Sequence, residues 1–346
     1  MILGMAGIPA STLGHSWQED MINEGDFDAT AVFADVIWAA SDRLNLTFGL
    51  RYTRDKKSFQ WLSGRRIAPE LDAVLNDPTI NFVLNDNMGP ALGYLYADYI
   101  FDLSALAGVP CDNGVTVQEG VTCKLSDSWE DLSPRFVADY HLTDSAMVFF
   151  SYAKGYKAGG FNSVEVASRF DNEDVQNFEI GLKSDLGANA RLNLSAFQYD
   201  YDGKQSIRLV VPAGSSVPQY LVETSDDTAW GLDMQLDVQP IEGLNLFANA
   251  QYIDATYNRK ITDAGDLAGQ PTGEPLWSAS AGVSYRQDLG GAGSLDMQVV
   301  HAYRGEGRCN TTSTGQGLCL KTPWFDPSEA QNRTDARLYW RTANQR

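Results

Sequence analysis

The feature that most constrains the fold of this chain is a strict alternation of apolar and polar residues. In RLNLTFGLRYT, the side chains of Leu44, Leu46, Phe48, Leu50 and Tyr52 fall on one face, and polar or small side chains fall on the other. The segments AWGLDMQLDVQP and LWSASAGVSYR alternate in the same way. Because successive side chains of a β-strand point to opposite faces, each segment is predicted to be a strand between an apolar and a polar medium.

The connections between these segments alternate between short turns, such as AASDRL and HLTDSA, and long loops. Long loops are predicted at 56–128, 157–172, 203–220, 256–274 and 304–329. Because every second connection is long, the long loops lie on one rim of an up-and-down antiparallel sheet. About eleven strands are predicted, near 27–40, 42–57, 129–140, 146–157, 173–184, 190–202, 220–239, 243–256, 275–287, 293–304 and 331–341.

Two all-β folds produce such strands. A β-sandwich buries its apolar faces between two sheets, whereas an antiparallel up-and-down transmembrane β-barrel turns the apolar face toward lipid. The barrel is favoured because many of the predicted strands exceed ten residues, enough to cross a bilayer at a tilt. Aromatic residues also gather at the strand ends, and the polar face carries charges of both signs in mid-strand, which a barrel lumen can pair.

The net charge is −19, from 26 basic and 45 acidic residues. A nucleic-acid binder needs a cationic surface, so no nucleic-acid partner is predicted. No positively charged signal region is present at the start of the chain, since the first Lys or Arg is Arg43, so the chain is expected to be either cytoplasmic or without its true beginning.

The four cysteines favour an exported protein. Cys111 and Cys123 flank one polar, glycine-bearing loop, and Cys309 and Cys319 flank another. Metal sites usually show closer CxxC spacing with histidine nearby, so two loop disulfides are predicted, with unpaired cytosolic thiols as the alternative. Disulfides indicate an oxidising compartment.

The segment SYAKGYKAGGFN is predicted to be the end of a strand that leaves a bilayer. Phe150 and Tyr152 would face lipid, and Tyr156 and Phe161 would lie near the headgroup level, where aromatic rings are common. Lys154 and Lys157 would lie level with the anionic groups of an outer leaflet.

The same region resembles a known family. LSPRFVADYHLTDSAMVFFSYAKGYKAGGFN (Leu132 to Asn162) is similar to the mid-barrel region of TonB-dependent outer-membrane receptors. LNLTFGLRYTRDKKSF, FEIGLKSDL and AWGLDMQLDVQPIEGLNLFANAQYIDATY resemble other strands of that family, and the resemblance extends from about residue 26 to the end.

The resemblance implies a receptor in the bacterial cell outer membrane that imports a scarce nutrient. A ferric siderophore is the first candidate, and cobalamin or a glycan are others. Import would be driven by the TonB–ExbB–ExbD complex through an N-terminal plug, and the barrel would contact membrane lipid and lipopolysaccharide. No plug or TonB box is visible, and family members usually continue through two more strands. We therefore expect a poorly structured start at 1–25 and an incomplete barrel at 26–346, a fragment of a larger protein that lacks the plug and the last strands.

No catalytic constellation is visible. His15, His141 and His301 are far apart, and no HExxH, Walker or GxGxxG motif occurs in a fitting context. The chain is therefore predicted to be neither an enzyme nor a metal or cofactor binder.

Function is predicted to reside on the polar face and in the long loops. The candidates for holding a plug or a passing small-molecule ligand are Arg51, Arg135, Glu179, Lys183, Asp233 and Arg337. The long loop at 56–128, with Trp61 and Tyr96, is either a site of ligand capture or a shield of the rim. Two other functions remain open: a self-contained outer-membrane pore or adhesin barrel, and a secreted glycan-binding β-sandwich.

Overall fold

A computed structural model describes residue 18 and residues 20–64, 67–75, 77–78, 106–210, 219–262 and 265–342. Its long strands are β1 (Met21–Ser41), β2 (Leu44–Ser63), β3 (Cys123–Thr143), β4 (Ala146–Lys157), β7 (Glu173–Asp185), β8 (Ala190–Val210), β9 (Gln219–Ile241), β10 (Leu244–Arg259), β13 (Trp277–Asp288), β14 (Ser294–Arg304) and β15 (Gln331–Arg341). The short elements are β5 (Gly160–Phe161), β6 (Arg169–Phe170), β11 (Ile261–Thr262), β12 (Gly265–Asp266) and the helices α1 (Pro69–Leu75) and α2 (Thr311–Gly315).

The eleven long strands form one antiparallel sheet in chain order, from β1 to β15. The short strands form two separate pairs, β5 with β6 and β11 with β12. This arrangement confirms the predicted all-β, up-and-down architecture and its number of strands. It excludes the sandwich for the described residues, because one large sheet is present rather than two stacked sheets.

Short turns and long loops alternate along the sheet as predicted, but two loops are shorter than expected. The β2–β3 connection runs from 64 to 122 rather than from 56 to 128. The two strands stay paired beyond their predicted ends, for example at Phe59 and Leu125. The ladder of β8 and β9 likewise extends to Val210 and Gln219. The sheet also begins at Met21, five residues before the predicted start of the barrel.

One face of the sheet carries large apolar side chains that are exposed in the structure. Ile180 is 61% exposed and Leu232 is 48% exposed. Aromatic rings form a row on this face, with Tyr252 lying 5.0 Å from both Trp230 and Trp277. We call this side the apolar face and the opposite side the polar face.

The sheet curls toward its polar face. Asn162, in the loop after β4, accepts a 2.9 Å hydrogen bond at its carbonyl oxygen from the Trp61 indole of β2. Its side-chain oxygen accepts another from the Val222 backbone N–H of β9. Four strands lie between β2 and β9. In a flat sheet, β2 and β9 would be about 24 Å apart, so the sheet or its β8–β9 extension must bend inward to meet one residue.

A small apolar core lies where this loop meets β2. The indole of Trp61 is fully buried together with Val117, Val166 and the Cys111–Cys123 disulfide. Phe161 packs here, 5.9 Å from the Trp61 ring. Phe161 is therefore part of this core, and its position near the headgroup level stays a prediction.

Lys154 forms ion pairs with other residues of the chain. Its ammonium pairs with the carboxylate of Asp131, whose side chain is 5% exposed, and lies 3.4 Å from Asp174. The β3–β4 ladder ends at the pair of Arg135 with Ala153, toward the long-loop end of the strands. The preceding residue, Pro134, has no backbone N–H to donate to the ladder. The Lys154–Asp131 ion pair therefore links two strands where backbone hydrogen bonds are missing.

Candidate functional site

A groove of about 670 Å³ crosses the polar face from β4 to β13. Three of the predicted site residues line it: Glu179 and Lys183 of β7 and Asp233 of β9. The strand register explains this, because Asp233 and Glu179 occupy polar-face positions on strands separated only by β8. The remaining polar lining is uncharged and comes from Asn193, Ser195, Gln235, Asn249, Gln251, Ser278 and Ser280.

The charged groups of the groove are available to a ligand. Within the described part of the chain, neither Glu179, Lys183 nor Asp233 forms an ion pair. The Lys183 ammonium lies 5.1 Å from the centre of the Phe149 ring, a cation–π distance. Two carboxylates, one ammonium and several amides can together bind a polar ligand through charge-assisted and neutral hydrogen bonds.

Phenylalanine rings lie over glycines along the same face. Phe149 is paired with Gly181, Phe197 with Gly231, and Phe247 with Gly282 on neighbouring strands. A Cβ atom added at Gly231 would come within 2.3 Å of the Phe197 ring and 2.5 Å of the Tyr252 carbonyl oxygen. Each ring thus occupies the space that a side chain at the paired glycine would take, and it lies close to the sheet backbone.

The other predicted charges lie away from the groove. Arg51 of β2 donates a 3.0 Å hydrogen bond to the Thr53 hydroxyl. Arg135 of β3 is paired with Gly49, and Arg337 of β15 is paired with Gln298, toward the two edges of the sheet. The structure therefore brings together Glu179, Lys183 and Asp233 but places none of these arginines beside them.

The two loop candidates have different outcomes. Tyr96 lies outside the described residues. Trp61 belongs to β2 rather than to a loop, and its ring is 0% exposed. It must be reassigned from ligand capture to packing, because a fully buried ring has no surface to offer a ligand.

A cluster of buried and partly buried charges lies on the polar face toward the long-loop ends of β8 and β9. Asp227 is 1% exposed, and its carboxylate lies 2.7 Å from the Lys204 ammonium. Arg208 and Glu223 form a second pair at 2.6 Å. In the loop after β10, burial lowers the pKa of Lys260, whose ammonium lies 4.9 Å from the Tyr257 ring. Sequence reasoning missed this cluster, although alternation already put Asp227 and Asp233 on one face.

Two classes of site are absent from the part of the chain that the structure describes. No group of three or more His, Cys, Asp or Glu side chains is arranged to hold a metal ion. No helix among the described residues has the length and hydropathy needed to cross a membrane.

The chain matches the family described as TonB dependent receptor-like, beta-barrel, over residues 6–345. It belongs to the TonB-dependent receptors. This family resides in the bacterial outer membrane and consists of transporters, which confirms the predicted location and the prediction that the chain is not an enzyme.

Solved structures with the same fold include three receptors. The ferric yersiniabactin uptake receptor FyuA from Yersinia pestis aligns with a TM-score of 0.61 and 16% identity, over 93% of this chain and 39% of FyuA. The closed form of the ferric-catecholate import receptor Fiu from E. coli K12 aligns with a TM-score of 0.56 and 15% identity, over 93% of this chain and 39% of Fiu. The siderophore receptor PiuA from Acinetobacter baumannii aligns with a TM-score of 0.56 and 13% identity, over 93% of this chain and 38% of PiuA. The chain thus spans about two fifths of the length of these receptors, and at these identities the likeness concerns the fold alone.

Proposed function

We propose that the receptor containing this chain imports a scarce nutrient across the outer membrane, with a ferric siderophore as the first candidate. The polar-face groove supports this proposal, because among the described residues it holds charges of both signs that form no ion pair, on the face that would line the lumen of a barrel. The names of FyuA, Fiu and PiuA support a siderophore as the ligand. Cobalamin and a glycan remain the other ligands to test.

The groove charges would guide the ligand, and energy would come from the TonB–ExbB–ExbD complex. A ligand that passes through a lumen must bind well enough to enter and weakly enough to leave. A mixture of two carboxylates, one ammonium and neutral amides fits this requirement better than a single strong charge. By the same reasoning, Arg51, Arg135 and Arg337 would hold other lumen contents, such as a plug.

Uptake of a radiolabelled ferric siderophore by cells that express the receptor tests the proposal. The double variant Glu179→Gln with Asp233→Asn should reduce the initial uptake rate at least about fivefold, the loss expected when charge-assisted contacts worth ~1 kcal/mol or more are removed. The matched control is Leu232→Met, next to Asp233 on the apolar face, which should leave uptake unchanged. Equal amounts of each variant in the outer membrane must be verified by immunoblotting.

Two results would contradict the proposal. If the double variant imports at the wild-type rate, the groove does not guide the ligand. If uptake continues in cells that lack TonB, the chain belongs to a pore that works by diffusion, the function left open from the sequence.

A further inference from the structure

The charges of the polar-face groove are unevenly distributed. Between β8 and β13, Asp233 is the only charged side chain among the described residues that line the groove. Glu179 and Lys183 lie at the other end, on β7. The Lys183 ammonium lies 5.1 Å from the Phe149 ring of β4, on the side of β7 that is away from β9. The β8–β13 part of the groove therefore holds a single negative charge and no cation in its lining.

The side chains around Asp233 bond to one another and not to its carboxylate. Asn193 donates a 3.3 Å hydrogen bond to Gln235, and Gln235 donates a 3.2 Å hydrogen bond to Asp237. Among the described residues, no side chain donates a hydrogen bond to Asp233 or forms an ion pair with it, although Asp233 is partly buried. A partly buried carboxylate without a partner favours a ligand group that brings a positive charge.

The charges nearer the long loops also favour a cation. Lys204 pairs with Asp227 and Arg208 pairs with Glu223, so these two cations of β8 are already neutralised by carboxylates of β9. The whole chain has a net charge of −19. A field of this sign raises the local concentration of cations in a cleft and lowers that of anions. A ligand with several negative charges would therefore be repelled during its approach and again at Asp233.

We infer that the ligand of this groove is a ferric complex that is uncharged around the metal and carries a protonated amine, which binds beside Asp233. The Asn, Gln and Ser side chains around Asp233 can donate and accept hydrogen bonds, as the uncharged part of such a ligand requires. A polyanionic complex, such as a ferric tris-catecholate, is rejected. The inference rests on the proposed function, because it names the ligand class of the same groove.

Equilibrium binding of radioiron complexes to the purified full-length receptor tests the inference. Ferrioxamine B is a hydroxamate complex with an ammonium group, its N-acetylated form lacks that charge, and ferric enterobactin is a polyanion. Ferrioxamine B should bind at least about tenfold more tightly than the N-acetylated form, the ratio expected for a charge-assisted contact, and ferric enterobactin should bind least. Raising the salt concentration to about 1 M, where the Debye length is about 3 Å, should reduce this preference.

Two matched variants assign the preference to Asp233. Asp233→Asn keeps the shape of the side chain and removes its charge, so the preference for ferrioxamine B should fall below about threefold. Asp237→Asn removes the same charge from the same face of β9, outside the groove lining, and should keep the wild-type preference. Heat-modifiable migration on gels verifies that each variant is folded.

Three outcomes would overturn the inference: equal binding of ferrioxamine B and its N-acetylated form, tighter binding of ferric enterobactin, or a preference that Asp233→Asn leaves unchanged. The assay measures binding without any uptake. A receptor that prefers ferrioxamine B in binding, but supports no TonB-dependent uptake of it in cells, would therefore refute the proposed function alone. A receptor that imports all three complexes without a preference would refute this inference alone, and one that binds none of them would refute both.

Discussion

The indole N–H of Trp61 donates a 2.9 Å hydrogen bond to the carbonyl oxygen of Asn162, and both residues are buried. Asn162 also bonds to Ser168 within its own loop and to Val222 of β9. One residue of the loop after β4 thus joins two distant strands on the polar face. The loop acts as an internal brace of the sheet.

Substitution of Trp61 by Phe should destabilise the fold by about 1–3 kcal/mol, because the Asn162 carbonyl would be left buried without its donor while most of the ring packing is kept. Urea unfolding in lipid vesicles, followed by far-ultraviolet circular dichroism, measures the change. Trp324→Phe is the matched control, since the Trp324 ring is 94% exposed and its loss should have no effect. Equal stability of the two variants would show that the brace contributes nothing.

The two disulfides should differ in their resistance to reduction. The structure joins Cys111 to Cys123 and Cys309 to Cys319, the pairing predicted from the loops. Cys111 and Cys123 are buried beside Trp61, whereas Cys309 is exposed. A reductant must reach a sulfur atom to attack it, so under native conditions the Cys309–Cys319 bond should open first. Timed alkylation with mass spectrometry gives the order, and equal rates would contradict the burial seen here.

The Phe–Gly pairs predict a cost for any side chain at Gly231. Gly231→Ala should destabilise the fold by about 1–3 kcal/mol, because the new methyl group meets the Phe197 ring and the Tyr252 carbonyl oxygen. Gly291→Ala, where a Cβ atom would meet nothing within 4 Å, is the control. The double variant Gly231→Ala with Phe197→Leu should recover part of the loss. No recovery would mean that the ring is not the obstacle.

Most of the architecture could be predicted from the sequence, because period-two alternation shows which side chains of each strand face an apolar medium and which face a polar one. The segment of β9 around Leu232 and Asp233 shows this: an apolar and a charged residue adjacent in the chain can be accommodated only on opposite faces. The same pattern put Glu179, Lys183 and Asp233 on one face before any register was known.

What the sequence could not provide was contact between distant segments. Trp61 falls within the loop predicted at 56–128, but the ladder with β3 and the hydrogen bond to the Asn162 carbonyl oxygen keep it in a strand. Phe161 lies in a glycine-rich segment, and no local rule indicates that it packs on Trp61. The separation of the arginines from the groove likewise follows from strand order across the sheet, and not from the residue type.

The most direct test of the account asks which face meets lipid. Spin labels at Leu46→Cys and Leu232→Cys on the apolar face, and at Arg51→Cys and Asp233→Cys on the polar face, would be examined in lipid vesicles by electron paramagnetic resonance. The account predicts collisions with dissolved oxygen at the first pair, as expected in hydrocarbon, and with a water-soluble nickel chelate at the second pair. Nickel accessibility at Leu46 and Leu232, with oxygen accessibility at Arg51 and Asp233, would contradict it.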